Sequence, residues 1–404
     1  MIRFLQKLGP GLLFAGAAVG VSHLVQSTKA GANFGFGLLW ALLLINLIKY
    51  PFFQFGPRYA TATGESLLDG YKKLGKNVLK IYALLTFATM FTIQTAVTIV
   101  TAGIASSLFG AHISMEIWTI IILSICFGLL LVGKYTLLDK MMKIIIIILS
   151  VSTLFAVITA FYSSEASADW AQILPKTDAE IIFLIAFMGW MPAPLDVSIW
   201  HSLWAIQKKK ELKVFSPKTA LMDFNIGYMG TIVLGIGFLM LGGLVMFGTG
   251  KTFSNNGSEF SIQLIQMYTQ NLGDWSYIII GLAALTTMFS TTLTTLDASP
   301  RAMNKTLELI LEKPLKNGYT SWLILLIIGT IFIFFFFLSE MGTLIKIATI
   351  LSFLTAPFYA IMNYLLMCSK HMPKPWKPSK VMHVLSILGI LFLIGFNIWY
   401  LSIL

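Results

Sequence analysis

The chain has 404 residues, 57% of them hydrophobic and 11% charged, with a formal net charge of +11 and a mean hydropathy of +0.83. So apolar a composition excludes a soluble globular protein, and several runs exceed the ~20 residues needed to cross a bilayer, which leaves an all-α polytopic membrane protein. The net charge does not mark a nucleic-acid partner, because the basic residues are spread among loops instead of gathered on one soluble surface.

Apolar run lengths predict eleven spans, at about residues 9–31, 34–59, 79–108, 113–132, 142–161, 181–203, 221–247, 276–295, 321–338, 343–367 and 381–404. The first follows Arg3 and Lys7, a basic start that imitates a secretory signal peptide. Its apolar run continues into Leu24-Val25-Gln26, so it reads as a span. Gly16, Ala17, Ala18, Gly20 and Ser22 lower helix propensity within it, and the polar Ser22-His23 pair lies at mid-depth. In the second span Lys49 is deeply placed within Asn46-Leu47-Ile48-Lys49-Tyr50-Pro51. It is open to three readings: a salt bridge, a snorkelling side chain, or a charge that meets an anion. Cys126 and Cys368 fall in apolar runs and do not indicate a disulfide.

The sixth span carries Phe187-Met188-Gly189-Trp190-Met191-Pro192-Ala193-Pro194-Leu195-Asp196. Pro192 and Pro194 each remove a backbone donor and clash with the preceding turn, so a continuous helix cannot pass. Unwound backbone in hydrocarbon persists only where protein, a water-filled cavity or a ligand supplies the missing partners. The break, followed by the Asp196 carboxylate, is therefore a candidate substrate site; the plain alternative is a carboxylate at the positive end of the second half-helix.

Further along, residues 248–275 read as an external polar loop with one short helix. Residues 247–252 look like part of a phosphate loop but lack its first glycine, which excludes a nucleotide site there, and Asn256-Gly257-Ser258 is only a formal glycosylation acceptor. Ser290, Thr291, Thr292, Thr294 and Thr295 concentrate hydroxyls in the eighth span, to hold sodium or to bond back to their own helix. Asp297 and Arg301, four apart, are expected to pair, and Phe334 to Phe337 to face lipid. Lys29, His201 and Lys346 near span ends read as snorkelling or interfacial groups.

Every second loop is basic: Lys72, Lys73, Lys76 and Lys80; Lys134, Lys140 and Lys143; Lys208, Lys209, Lys210, Lys213 and Lys218; Arg301, Lys305, Lys313 and Lys316; Lys370, Lys374, Lys377 and Lys380. The positive-inside rule then puts the N-terminus in the cytoplasm and the C-terminus outside, in the plasma (inner) membrane. Interruptions in spans one and six lie five spans apart, which points to an inverted-repeat transporter with its site at the repeat interface. The whole chain, 1–404, is then one transmembrane domain: repeat one about 9–163, repeat two about 181–368, an extra helix about 381–404.

Gly9-Pro10, Ala30-Gly31-Ala32, Phe34-Gly35-Phe36, Leu38-Leu39-Trp40 and Asn46-Leu47 resemble the first two helices of the Nramp family, and Met191-Pro192 matches the Met-Pro of its sixth helix. The resemblance implies a proton-coupled divalent metal transporter of LeuT-type fold, a 5+5 inverted repeat with helices 1 and 6 unwound around the substrate. This sequence departs from the family at the site. The first-helix Asp-Pro-Gly-Asn falls on Gly20-Val21-Ser22-His23, the histidine after Met-Pro is Ala193, and the third-helix acidic pair used for proton exit falls on Gln94 and Val97. Met191 keeps the family's thioether, and Met188 falls where a backbone carbonyl is supplied.

Two cargoes stay open. A divalent cation would be met by Met191, Asp196 and His23 with carbonyls opened near Gly20 and Met188, Asp196 taking over from the lost aspartate. A small anion, bicarbonate or a carboxylate, would be met by Lys49, His23 and the half-helix N-termini. The substrate-binding candidates are thus Gly20, Ser22, His23, Met188, Met191 and Asp196; the coupling or charge-balancing candidates are Lys49, His23, Thr291 and Thr294. The expected partners are a small ion and the lipid bilayer, with no cofactor and no obligate protein partner. No catalytic arrangement suggests an enzyme; a non-transporting sensor is the alternative from another class.

Overall fold

The computed structural model describes residues 9–110, 113–132, 135–163, 170–211, 215–250, 252–337 and 341–402. Arg3, Lys7, Lys134 and Lys213 of the basic segments, and position 251 of the 247–252 stretch, lie outside the described residues. All regular structure is helical among them.

The first span is two pieces, α1 (Pro10–Ala18) and α2 (Thr28–Phe34), joined through Val19-Gly20-Val21 and a π-helical turn Ser22–Ser27. Its halves meet at 47°. The break falls where low-propensity residues cluster, and at Gly20 a Cβ would lie 2.8 Å from the Thr291 methyl, so only glycine admits that approach. Gly35, at φ +57°, then turns the chain into α3 (Leu39–Thr63), with a short α4 (Leu67–Leu74) beyond it. Ser66 and Asp69 form a capping box that starts α4. Next come α5 (Lys76–Phe109), α6 (Met115–Val132) and α7 (Tyr135–Ser163).

The stretch predicted as the sixth span is likewise two pieces, α8 (Asp178–Trp190) and α9 (Val197–Glu211), separated by Met191–Asp196. Thr177 and Glu180 cap the start of α8 reciprocally. Met191 leaves the helix in extended conformation, and the Met191–Pro192 peptide is cis. Then follow α10 (Pro217–Val245), capped by Ser216, α11 (Gly257–Leu272), α12 (Ser276–Leu311), α13 (Gly318–Phe337), α14 (Met341–Cys368) and α15 (Lys380–Ser402). Among the described residues eight helices are long and apolar enough to cross a membrane, and the bent first pair makes a ninth.

The spans divide by packing. α1, α2 and α3 gather on α10, and α9 packs on α3 and α1, whereas α5, α6, α12 and α13 pack on one another and α14 lies against both α8 and α5. Close backbone approach makes the first group tight: Cβ atoms at Gly11 and Gly31 would meet the Asp223 and Leu239 carbonyl oxygens at 2.1 and 1.9 Å. Phe14, Phe53, Phe224 and Tyr228 fill its core. The apolar stretches of α6, α13 and α15 are only 22% buried, which makes them the outer, lipid-facing helices. The phenylalanine run is divided: Phe335 and Phe336 are exposed, but Phe334 is buried in the core, since one helix face cannot hold consecutive side chains.

Candidate functional site

The two breaks face each other. Ser22 Oγ, in the first, lies 3.2 Å from the carbonyl oxygen of Pro192, in the second, and 2.7 Å from that of Ala18. A cavity of about 30 Å³, lined by Ala17, Val21, Ser22, Trp190, Pro194 and Thr291 among others, occupies the space between the breaks, α5 and α12. That is room for about one water-sized body.

Lys49 crosses from α3 to the sixth-span break. Its Nζ donates to the carbonyl oxygens of Gly189 (2.7 Å), Met188 (2.9 Å), Met191 (3.0 Å) and Ala193 (3.3 Å). The residue is fully buried. Lysine has three protons on a flexible stem, so a ring of carbonyls on an unwound segment suits it much as it would suit a bound cation. Two of the readings open for Lys49 are thereby excluded: its partners are backbone carbonyls, not a carboxylate, and its head lies inside the protein. The opened carbonyl of Met188 is where sequence comparison places it, but it faces an ammonium.

His23 is held at both ends. Nε2 is 3.0 Å from Thr231 O, and Nδ1 is 2.6 Å from Ser22 Oγ and 3.1 Å from Ala18 O. Neither ring nitrogen is free for a metal in this conformation. Met191 is close by: a Cβ at Gly235 would lie 3.5 Å from its sulfur and 3.7 Å from the His23 ring. Asp196 is buried, and its charged neighbour is Lys49. Among the described residues no group of three His, Cys, Asp or Glu side chains converges.

Of the eighth-span hydroxyls, Thr291 does face the first break, donating toward Gly16 O at 3.1 Å and Val19 O at 3.4 Å. Thr294 bonds back to Ser290 O at 2.8 Å. Gln94 ties α5 to α12 by accepting from Thr295 Oγ1 (2.7 Å) and donating to Thr292 O (3.3 Å). Asp297 and Arg301 pair at 2.6 Å. Two contributors carried no sequence signal: Thr231, through its carbonyl, and Ser352, which accepts from Trp190 Nε1 at 2.7 Å.

A larger cleft of about 540 Å³ opens between α2, α8 and α14. Lys29, Lys346 and Glu180 are its charged lining. Glu180 is committed to the backbone N–H groups of Lys176 and Thr177 at 2.9 and 3.1 Å. Lys29 lies 5.4 Å over the Phe260 ring, and among the described residues neither lysine has a carboxylate partner. Lys346 thus lines a cleft instead of snorkelling alone.

A helical membrane bundle whose first and sixth spans unwind opposite one another, around a small central cavity, is the architecture of a LeuT-type secondary transporter with inverted-repeat packing. The chain belongs to the Nramp family: the profile of "Natural resistance-associated macrophage protein-like" proteins matches residues 11–402. An uncharacterized protein of Pasteurella multocida is 37% identical over 98% of this chain and 92% of its own length. Metal transporter Nramp6.1 of Populus trichocarpa is 26% identical over 99% of this chain and 74% of its own. A mutant of the Eremococcus coleocola manganese transporter has the same fold, with a TM-score of 0.73 at 17% identity, covering 99% of this chain and 95% of that one. MhsT in complex with L-phenylalanine matches at 0.66 and 14% identity, covering 96% and 98%. The protein is accordingly a secondary transporter of the Nramp type that moves a small ion across the membrane.

Proposed function

We propose that the cargo passes through the space between the two breaks, bound by residues of the first and sixth spans. The observation that carries this is the Ser22–Pro192 approach, which brings two unwound segments together around a cavity. Nine clear spans are joined in this reading by α7 and by the broken pair α8 and α9, giving eleven. The basic residues of every second loop support a cytoplasmic N-terminus, which puts the lysine-lined cleft outside in this reading. Repeat one covers about 9–163 and repeat two about 181–368, within a single domain.

The names of the relatives bring a divalent metal cation to this chain as cargo. Met191 is the soft donor beside the break that supports this reading, with His23 next to it once its ring turns from Thr231. A second reading, a small anion, is favoured by Lys49. A fixed ammonium among the sixth-span carbonyls repels a second cation at that spot and attracts a negative group. Lys29 and Lys346 over the entrance act in the same direction.

Purified protein in liposomes separates the two. Uptake of Mn²⁺ that is lost in Met191→Ala supports the cation; wild-type flux of bicarbonate or acetate without Mn²⁺ uptake supports the anion. Absence of flux with all three probes would sink both cargo assignments.

A further inference from the structure

The cleft of about 540 Å³ between α2, α8 and α14 is separate from the space between the breaks: among the described residues the two share no lining side chain. Its volume falls within the range of about 300–1,000 Å³ typical of small-molecule sites, whereas the central cavity holds about one water-sized body. Lys29 reaches it from α2 and Lys346 from α14. The exposed amides of Asn33 and Asn255 line it too.

Gln26 is the side chain that points to an occupant. It lines the cleft, is only 5% exposed, and its amide makes no hydrogen bond among the described residues. The other three polar side chains of its π-helical turn are satisfied by the protein: Ser22 by Ala18 O, His23 by Thr231 O and Ser27 by Ser22 O. A buried amide normally finds a partner. That of Gln26 is left to whatever fills the cleft.

The charges decide what that is. Glu180 is the acid of the lining, and its Oε2 already accepts from the backbone N–H groups of Lys176 and Thr177. The Lys29 ammonium lies 5.4 Å over the Phe260 ring, a contact that favours the cation without neutralising it. Two ammoniums facing one cleft repel a metal cation and attract an anion. They sit on different helices, so one molecule that answers both needs an acidic group at each end. The Gln26, Asn33 and Asn255 amides can each donate to its oxygens.

We propose that this cleft binds a small dicarboxylate anion, with Lys29 and Lys346 meeting its two carboxylates and the Gln26 amide donating to it. The site is distinct from the cargo seat between the breaks, whose volume of about 30 Å³ does not admit such an anion. It therefore stands whichever cargo the chain moves. Occupancy ties α2, half of a broken span, to the continuous α14.

Calorimetric titration of succinate into the purified full chain, in neutral detergent at fixed ionic strength, tests it. The expected result is a single site with a dissociation constant below about 1 mM and acetate weaker by about tenfold or more. Lys29→Gln and Lys346→Gln should each weaken succinate about tenfold and Gln26→Leu severalfold. Lys218→Gln, at the exposed start of α10, should leave it unchanged. No binding to wild type, equal affinity for succinate and acetate, or losses no larger in the cleft variants than in Lys218→Gln would each overturn the proposal. Lys346 is exposed, so Lys346→Gln decides alone if Lys29→Gln does not fold. The readout involves no transport, so it stands or falls separately from the cargo assignment.

Discussion

The ammonium of Lys49 lies 2.7 Å from the carbonyl oxygen of Gly189, across the interface between the second span and the broken sixth. Three more carbonyls share the same nitrogen, so this one side chain satisfies most of the backbone that Pro192 and Pro194 force open. In Lys49→Met those oxygens are left buried without donors, at about 1–3 kcal/mol each before relaxation. The expected result is a fall in thermal stability of about 3 kcal/mol or more in detergent. In Lys49→Ala, added ethylammonium should recover part of the loss by entering the vacated space. A Lys49→Met protein that melts with wild type would show that the carbonyls find other partners.

Asp223 anchors the start of the first span. Its carboxylate accepts from Gly9 N at 3.0 Å and Gly11 N at 2.7 Å, so a charge on α10 meets the positive end of α1. Asp223→Ala is expected to cost about 1–3 kcal/mol and to loosen α1 from α10. Labelling of Ser22→Cys by a water-soluble thiol reagent, in a Cys368→Ser background, should speed up severalfold in that variant. Unchanged labelling would mean that glycine packing alone holds the helix.

Gln94 is a position where the charge state of a replacement can be read from its neighbours. Its amide donates to Thr292 O, and its oxygen accepts from Thr295 Oγ1. A glutamic acid there can imitate the amide only while protonated. Gln94→Glu should therefore be near wild type in acid and lose stability progressively as pH rises, because the ionised form faces a carbonyl from within an apolar environment. Thermal melts across pH check the sign; a loss that grows toward acid pH would contradict it.

Asp69 supplies a pH effect on the loop side. Burial pushes its carboxyl up, but hydrogen bonds from Ser66 and Lys305 and the Lys305 charge outweigh that, so it titrates below the usual carboxylate range. A group depressed in the folded state adds stability that is fully present above the unfolded value of about 3.9 and is lost as pH falls through the folded one. Asp69→Ala, which removes both the cap on α4 and the 2.9 Å link to Lys305, should cost about 1–2 kcal/mol at neutral pH. The two melting curves should converge in strong acid.

The breaks were legible because their causes are local. Two prolines one residue apart, or a cluster of small residues before Ser22-His23, disrupt a helix wherever it lies. The bundle followed from run lengths and the five-span interval between breaks. The contacts of Lys49 and His23 were not legible, because each is answered by backbone carbonyls of a segment distant in sequence, which leave no pattern in the chain. Thr294 illustrates the converse: it belongs to a suggestive run, yet its helix turns it onto its own Ser290 carbonyl.

An ion held by non-covalent contacts comes and goes with the salt around it, but the ammonium that fills the sixth-span carbonyl ring is part of the polypeptide. It can be neither washed out nor exchanged. The charge at that point should thus be indifferent to whether the bathing medium contains sodium, potassium or choline, and the current carried per cycle should reflect the cargo and any accompanying proton alone.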